Sequence, residues 1–173
     1  MPDNFPNTQG QALDSGAPLA PEIRAQAWLN TPAPIALADL RGRVIVLHAF
    51  QMLCPGCVAH GIPQTVRIQQ TFAPTDVQVL GIHTVFEHHA VMGRAALEVF
   101  VHEYRLTFPI AIDMPAEQGS IPRTMQAYEF NGTPSLVLID RAGRLRFSHF
   151  GRIDDMEVGA RIAALLAEAP PAA

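Results

Sequence analysis

Val44-Ile-Val-Leu-His-Ala-Phe50, continued by Gln51-Met-Leu-Cys-Pro-Gly-Cys57, is the stretch around which the chain is organised. The run 44–50 is rich in β-branched and aromatic residues and almost uninterrupted, which predicts a strand buried on both faces of a sheet. After Cys57 the spacing turns helical through Val58, Ile62, Val66 and Ile68 to Phe72, and predicts a helix over 55–71. Cys54 and Cys57, the only two cysteines, therefore stand where a strand hands over to a helix. Orphan N–H groups and the positive dipole end favour a thiolate on Cys54 there. Cys57 lies within one helical turn and can resolve a mixed disulfide formed by Cys54. Pro55 suits the first helical position, where its missing N–H is harmless. The pattern reads as a redox dithiol.

The 173 residues fit a single domain over 21–169, preceded by a loose arm over 1–20 that is rich in Pro, Gly, Asn and Gln. Apolar residues make up 49% of the chain, yet no run reaches the length that a membrane helix needs. A net charge of -4 without a basic cluster excludes nucleic acid as a partner class. Met1-Pro-Asp-Asn-Phe-Pro-Asn7 has neither a positive n-region nor an apolar h-region, so a cytoplasmic protein is expected. In that compartment two cysteines point to catalysis or metal binding rather than a permanent staple.

Outward from the centre, Trp28-Leu29 reads as a short edge strand, joined through Thr31-Pro-Ala-Pro34 to Ile35–Leu37 as an N-terminal hairpin. A second buried strand is expected over 77–83, parallel to the first through the βα β crossover. A helix over 91–105 and a brief strand over 109–112 follow. A helix over 121–130, strands at 135–139 and 145–149 around the turn Asp140-Arg-Ala-Gly143, and a helix over 155–168 complete the chain. This order describes an α/β fold, a mixed sheet with helices on both faces.

With that order and the Cys-x-x-Cys in place, the chain resembles the thioredoxin superfamily over about residues 28–168, most closely its TlpA- and ResA-like thiol-disulfide oxidoreductases. The signatures are Leu37-Ala-Asp-Leu-Arg-Gly-Arg-Val44, Cys54-Pro-Gly-Cys57 and Gly132-Thr-Pro-Ser135. The elements at 91–112 match the αβ insertion of TlpA-like members. The resemblance implies a cis peptide at Thr133–Pro134 opposite the dithiol, with the Thr133 backbone offering strand-like hydrogen bonds to an incoming chain. It implies no cofactor, and as partners a protein or small-molecule disulfide and a second redox partner.

The chain also departs from that pattern. Pro55-Gly56 stands between the cysteines where relatives carry Gly-Pro, Pro-Pro or Glu-Pro, which alters the redox potential with a sign the residues do not reveal. His48 occupies the place of a buried Asp or Asn; it is either the base that takes the Cys57 proton or an inert core histidine. His60, one turn beyond the dithiol, reads as a solvated helix residue or a substrate contact. His83, His88 and His89, with Glu87, fall at or just beyond the end of strand 77–83, on the loop that should approach the dithiol; they either contact substrate, shift the Cys54 pKa or hold a metal, or are ordinary polar loop residues. Phe50, Met52 and Leu53 are expected to form an apolar rim for a partner, with core packing as the alternative, and Trp28 is expected to pack.

Three activities compete. The first is a thiol-disulfide oxidoreductase with Cys54 as nucleophile and Cys57 as resolving thiol, acting as a reductase. The second, a peroxiredoxin-like peroxidase, lacks its Pro-x-x-x-Thr-x-x-Cys pattern: Leu47 and Gln51 stand at the Pro and Thr positions. The third, a Cys/His metal module, has only two thiolates to offer.

Overall fold

In the computed structural model, which describes residues 16–169, all seven residues of Val44–Phe50 are buried. The strands are β1 (Ala25–Leu29), β2 (Val44–Phe50), β3 (Val77–His83), β4 (Ile110–Asp113), β5 (Ser135–Ile139) and β6 (Leu145–Phe150). The helices are α1 (Ile62–Thr71), α2 (Arg94–Glu103), α3 (Arg123–Ala127) and α4 (Asp155–Ala167). One six-stranded sheet has the order β1-β4-β3-β2-β5-β6. The central strand β2 pairs parallel with β3, Val44 opposite Val77 through Phe50 opposite His83. On its other side β2 pairs antiparallel with β5, from Ile45–Ile139 to Ala49–Ser135.

The two-residue alternation of β2 serves two cores at once. Val44, Val46 and Phe50 join Ile62 and Ile68 of α1, Leu97 and Val101 of α2, and Val158, Ile162 and Leu165 of α4. Ile45, Leu47 and Ala49 pack on the opposite face with Leu37, Leu40, Met125, Tyr128 and Phe130. Burial of each such Ile or Leu contributes about 2 kcal/mol. The mixed sheet with helices on both faces is thus the thioredoxin-like fold expected, and α2 with β4 forms the inserted αβ element.

The N-terminal hairpin does not form. β1 pairs antiparallel with β4, from Ala25–Asp113 to Leu29–Ile110, at the sheet edge. Leu37–Leu40 is a short 3-10 turn that buries both leucines. The Glu22 carboxylate accepts from the Leu37 and Ala38 N–H groups at 2.9 and 3.1 Å, holding that turn where a strand was expected. The expected arm also ends earlier. The Leu145 N–H donates to Pro18 O and Ala20 N–H to Gly143 O, each at 2.9 Å, so residues 18–20 are tied to the β5–β6 turn. The remainder of that arm, residues 1–15, lies outside the described residues.

Asp113, at the end of β4, ties three segments together. Its Oδ1 accepts from Thr124 N–H at 2.9 Å, and its Oδ2 from Met125 N–H at 3.0 Å and Thr84 Oγ1 at 2.9 Å. It thereby caps α3, whose own N-cap residue, Pro122, makes no side-chain cap. Asp113→Ala leaves three buried donors without an acceptor and is expected to lower the unfolding free energy by roughly 3–5 kcal/mol. Urea denaturation reads this as a lower midpoint at unchanged slope; a loss under about 1 kcal/mol would show the donors finding other acceptors.

Candidate functional site

The parallel strands β2 and β3 end on one edge, and helical backbone starts just beyond it. Residues 55–71 run helical without a break, but Cys57–Gly61 forms a π-helical turn ahead of α1. Such a turn widens the helix by one residue per hydrogen bond and is frequent at functional sites. The Cys54 carbonyl accepts from Val58 N–H at 3.1 Å, so Cys54 sits at the helix start.

The two thiols differ in exposure: Cys54 is half-buried and Cys57 fully buried, and both are unbridged. Cys54 Sγ accepts from the Cys57 N–H at 3.2 Å and lies 3.3 Å from Thr133 O, to which its S–H donates. Burial pushes the Cys57 thiol up to about 12, with its hydrogen bond to the Cys54 thiol adding to the rise. Cys57 is therefore a thiol at neutral pH, and Cys54 is the sulfur that solvent reaches.

The Thr133–Pro134 peptide bond is cis. Pro134 packs against the helix start so closely that a Cβ on Gly56 would stand 3.2 Å from its Cδ. Glycine between the cysteines is thus matched to the proline opposite. A Cβ on Gly61 would stand 3.0 Å from Pro134 Cβ and only 2.4 Å from His48 Nε2. The imidazole of His48 accordingly lies beneath the π-turn, beside Pro134.

A cleft of about 580 Å³ opens at Cys54. Of the residues singled out from sequence, Leu53, Cys54, Pro55, Glu87 and Thr133 line it, and so does His88. Leu53 is 59% exposed and forms the apolar rim. Phe50 and Met52 do not join it: both are buried in the core, because β2 carries its alternation through Phe50 and Met52 turns inward after it. His60 is exposed and borders a different hollow, between α1 and the start of α4, with Gln64, Arg67 and Asp155. His83 is 1% exposed, its ring tilted against that of Phe50 with centroids 5.4 Å apart, and it does not line the cleft at Cys54.

His48 is equally buried and stacks on Phe50 at 5.9 Å, with neither ring nitrogen hydrogen-bonded among the described residues. Burial lowers its pKa to about 4. Among the described residues no group of three or more His, Cys, Asp or Glu side chains is placed to hold a metal ion. Nor is any helix among them long and apolar enough to cross a membrane.

Sequence reading missed part of the cleft. Gln51 is buried beside Cys54, and its Nε2 donates to Glu87 Oε1 at 3.4 Å. Val91 and Phe150, 59% and 43% exposed, complete the rim with Leu53. Phe150 arrives from the far end of β6, and only the antiparallel register opposite Ser135 brings it near Thr133. No local pattern marks it.

Fold and site together define a thioredoxin-fold protein with an exposed–buried dithiol facing a cis-proline loop. The Redoxin family model matches residues 14–160, and the chain belongs to that family. A crystal structure of a thioredoxin-like superfamily protein shares 54% identity with a TM-score of 0.87, covering 88% of this chain and 99% of that one. A thiol-disulfide isomerase from Corynebacterium glutamicum shares 48% identity with a TM-score of 0.85, covering 91% of this chain and 100% of that one. Protein DipZ of Mycobacterium bovis is 29% identical over 168 residues, 95% of this chain but 23% of that protein. The chain thus spans under a quarter of the length of that curated relative.

Proposed function

We propose that the protein is a thiol-disulfide oxidoreductase of the TlpA- and ResA-like kind, working as a reductase on protein or small-molecule disulfides. The carrying observation is the asymmetric pair: one reachable sulfur, Cys54, hydrogen-bonded by the main chain of the other, Cys57. The Cys54 thiolate attacks one sulfur of a substrate disulfide; that S–S bond breaks, a mixed disulfide forms, and the departing sulfur takes up a proton. Cys57 then gives up its proton and attacks Cys54 Sγ, closing the Cys54–Cys57 bridge and releasing the second substrate sulfur as a thiol. Two electrons pass from dithiol to disulfide. A second dithiol partner returns them.

The reducing direction is the one a dithiol takes where the surrounding thiol pool is kept reduced. A reducing compartment such as the cytoplasm suits this direction. Thr133 and Pro134 form the wall along which a substrate chain aligns, Pro55 and Gly56 fit the helix start to that wall, and Leu53, Glu87 and the neighbouring rim meet the substrate. His48 seats Gly61 and Pro134. As a base of pKa about 4 it is poorly matched to a thiol near 12.

Reduction of insulin, or of a small aromatic disulfide, by the full chain with a dithiol donor tests this. Cys54→Ser is expected to abolish turnover. Cys57→Ser is expected to stop after one half-reaction and accumulate a mixed disulfide visible by mass spectrometry. Peroxide consumption that survives Cys57→Ser would replace this reading with a peroxidase.

A further inference from the structure

The cleft at Cys54 holds one carboxylate, and no arginine shares its lining. Glu87, on the loop after β3, is exposed and lines that cleft. The chain has no lysine. Among the described residues the Glu87 carboxylate makes one hydrogen bond, and its donor is neutral: Gln51 Nε2, 3.4 Å from Oε1. A bond of that length is weak. Gln51 is itself 1% exposed, so its carboxamide places the carboxylate without cancelling the charge.

Many carboxylates elsewhere in the fold are engaged. Asp155, Glu98, Glu117 and Glu157 each face an arginine at 2.7 to 2.9 Å. Asp140 and Glu168 share Arg146, and Asp113 accepts from Thr84, Thr124 and Met125. Glu87 departs from this pattern at the mouth of the nucleophile.

The surroundings set what that charge does. Leu53, Val91 and Phe150 rim the same cleft, 59%, 59% and 43% exposed. A chain laid across them covers apolar surface and displaces water beside the carboxylate. Attraction to a cation is then strengthened, and a second anion is repelled with no cation in the cleft wall to relieve it. The net charge of -4 works in the same direction.

We propose that Glu87 makes this cleft selective for polypeptide disulfides with a lysine or arginine beside the attacked cysteine, and against acidic disulfides such as oxidised glutathione. The partner is an extended basic segment, its apolar side chains on the rim and its cation at Glu87. This selection rests on the oxidoreductase reading, because it narrows the substrates of the same dithiol.

Reduction kinetics with the full chain test the selection. Two peptides, each closed by an internal disulfide and carrying a leucine beside it, differ only in a lysine or a glutamate next to the attacked cysteine. Each kcat/KM is normalised to reduction of the same peptide by dithiothreitol. The ratio of lysine to glutamate peptide is expected to be about tenfold at low salt and to fall to about twofold near ~0.5 M sodium chloride. Glu87→Gln, at an exposed position, is expected to bring the low-salt ratio to about twofold, and Glu87→Lys to invert it. Oxidised glutathione is expected to be reduced about fivefold more efficiently by Glu87→Lys than by the wild type. Equal efficiency on both peptides, or a ratio that Glu87→Gln leaves in place, would overturn the selection while disulfide reduction stands. Failure of the wild type to reduce either peptide or the neutral hydroxyethyl disulfide would overturn the oxidoreductase reading and the selection with it.

Discussion

Gly61→Ala is expected to lower the unfolding free energy by about 3 kcal/mol and to reduce disulfide turnover together with it. The added methyl would stand 2.4 Å from His48 Nε2, 2.8 Å from its Cε1 and 3.0 Å from Pro134 Cβ. None of these atoms belongs to a flexible chain end. The imidazole is packed on Phe50 under the π-turn, and Pro134 is held in line by Gly151 N–H donating to its carbonyl at 2.8 Å. Relief must move the helix start or the proline, and both bear directly on the Cys54–Thr133 contact. Gly159 of α4 is the control: a Cβ there meets nothing within 4 Å. Gly159→Ala should stabilise by roughly 0.5–1 kcal/mol through helix propensity alone. Equal urea midpoints for Gly61→Ala and wild type would mean that the ring of His48 does not lie under residue 61.

Acidification from pH 7 to 4.5 is expected to remove on the order of 5 kcal/mol of stability through two imidazoles. Burial lowers His48 and His83 each to about 4, against an ordinary value of 6.5. Between those values the unfolded chain binds protons that the folded one does not, so stability rises with pH and falls as the solution is acidified. Each histidine contributes about 2–3 kcal/mol of the loss by pH 4.5. Asp113 works in the opposite sense: burial raises its pKa, so the folded state takes up its proton first and gains on acidification. Asp155 and Glu168, whose arginine contacts hold them below the usual carboxylate range, lose their contribution only below that range. Thermal unfolding at a series of pH values reads the balance. His83→Phe should flatten the acid limb by about half; an acid limb that is flat in the wild type would show both rings charging within the fold.

The strands that a reader of the sequence finds most readily are those buried on both faces. Val44–Phe50, Val77–His83 and Ser135–Ile139 coincide with the expected runs because β-branched and apolar residues leave no other solution. The hairpin at 28–37 failed for the reason that edge pairing is not local: the partner of β1 lies some eighty residues onward, and Glu22 diverts Leu37 into a turn. The helix expected over 121–130 stops at Ala127, since Glu129 adopts a left-handed backbone and Phe130 N–H returns to Met125 O. At the site, the dithiol and Thr133–Pro134 were legible as motifs. The inward turn of Met52, the burial of His83 and the rim built by Phe150 depend on register between distant strands, which no local spacing encodes.

Cys54 and the carbonyl that receives its S–H stand 79 positions apart. Every group that guards the nucleophile on that side is synthesised after it, and the wall is complete only when β5 has docked against β2. Until then a nascent chain carries two thiols with no proline loop across them, open to any oxidant or stray cysteine nearby. Competence and completion of the sheet are therefore one event, and an amino-terminal fragment ending before β5 is a reactive peptide rather than a smaller enzyme.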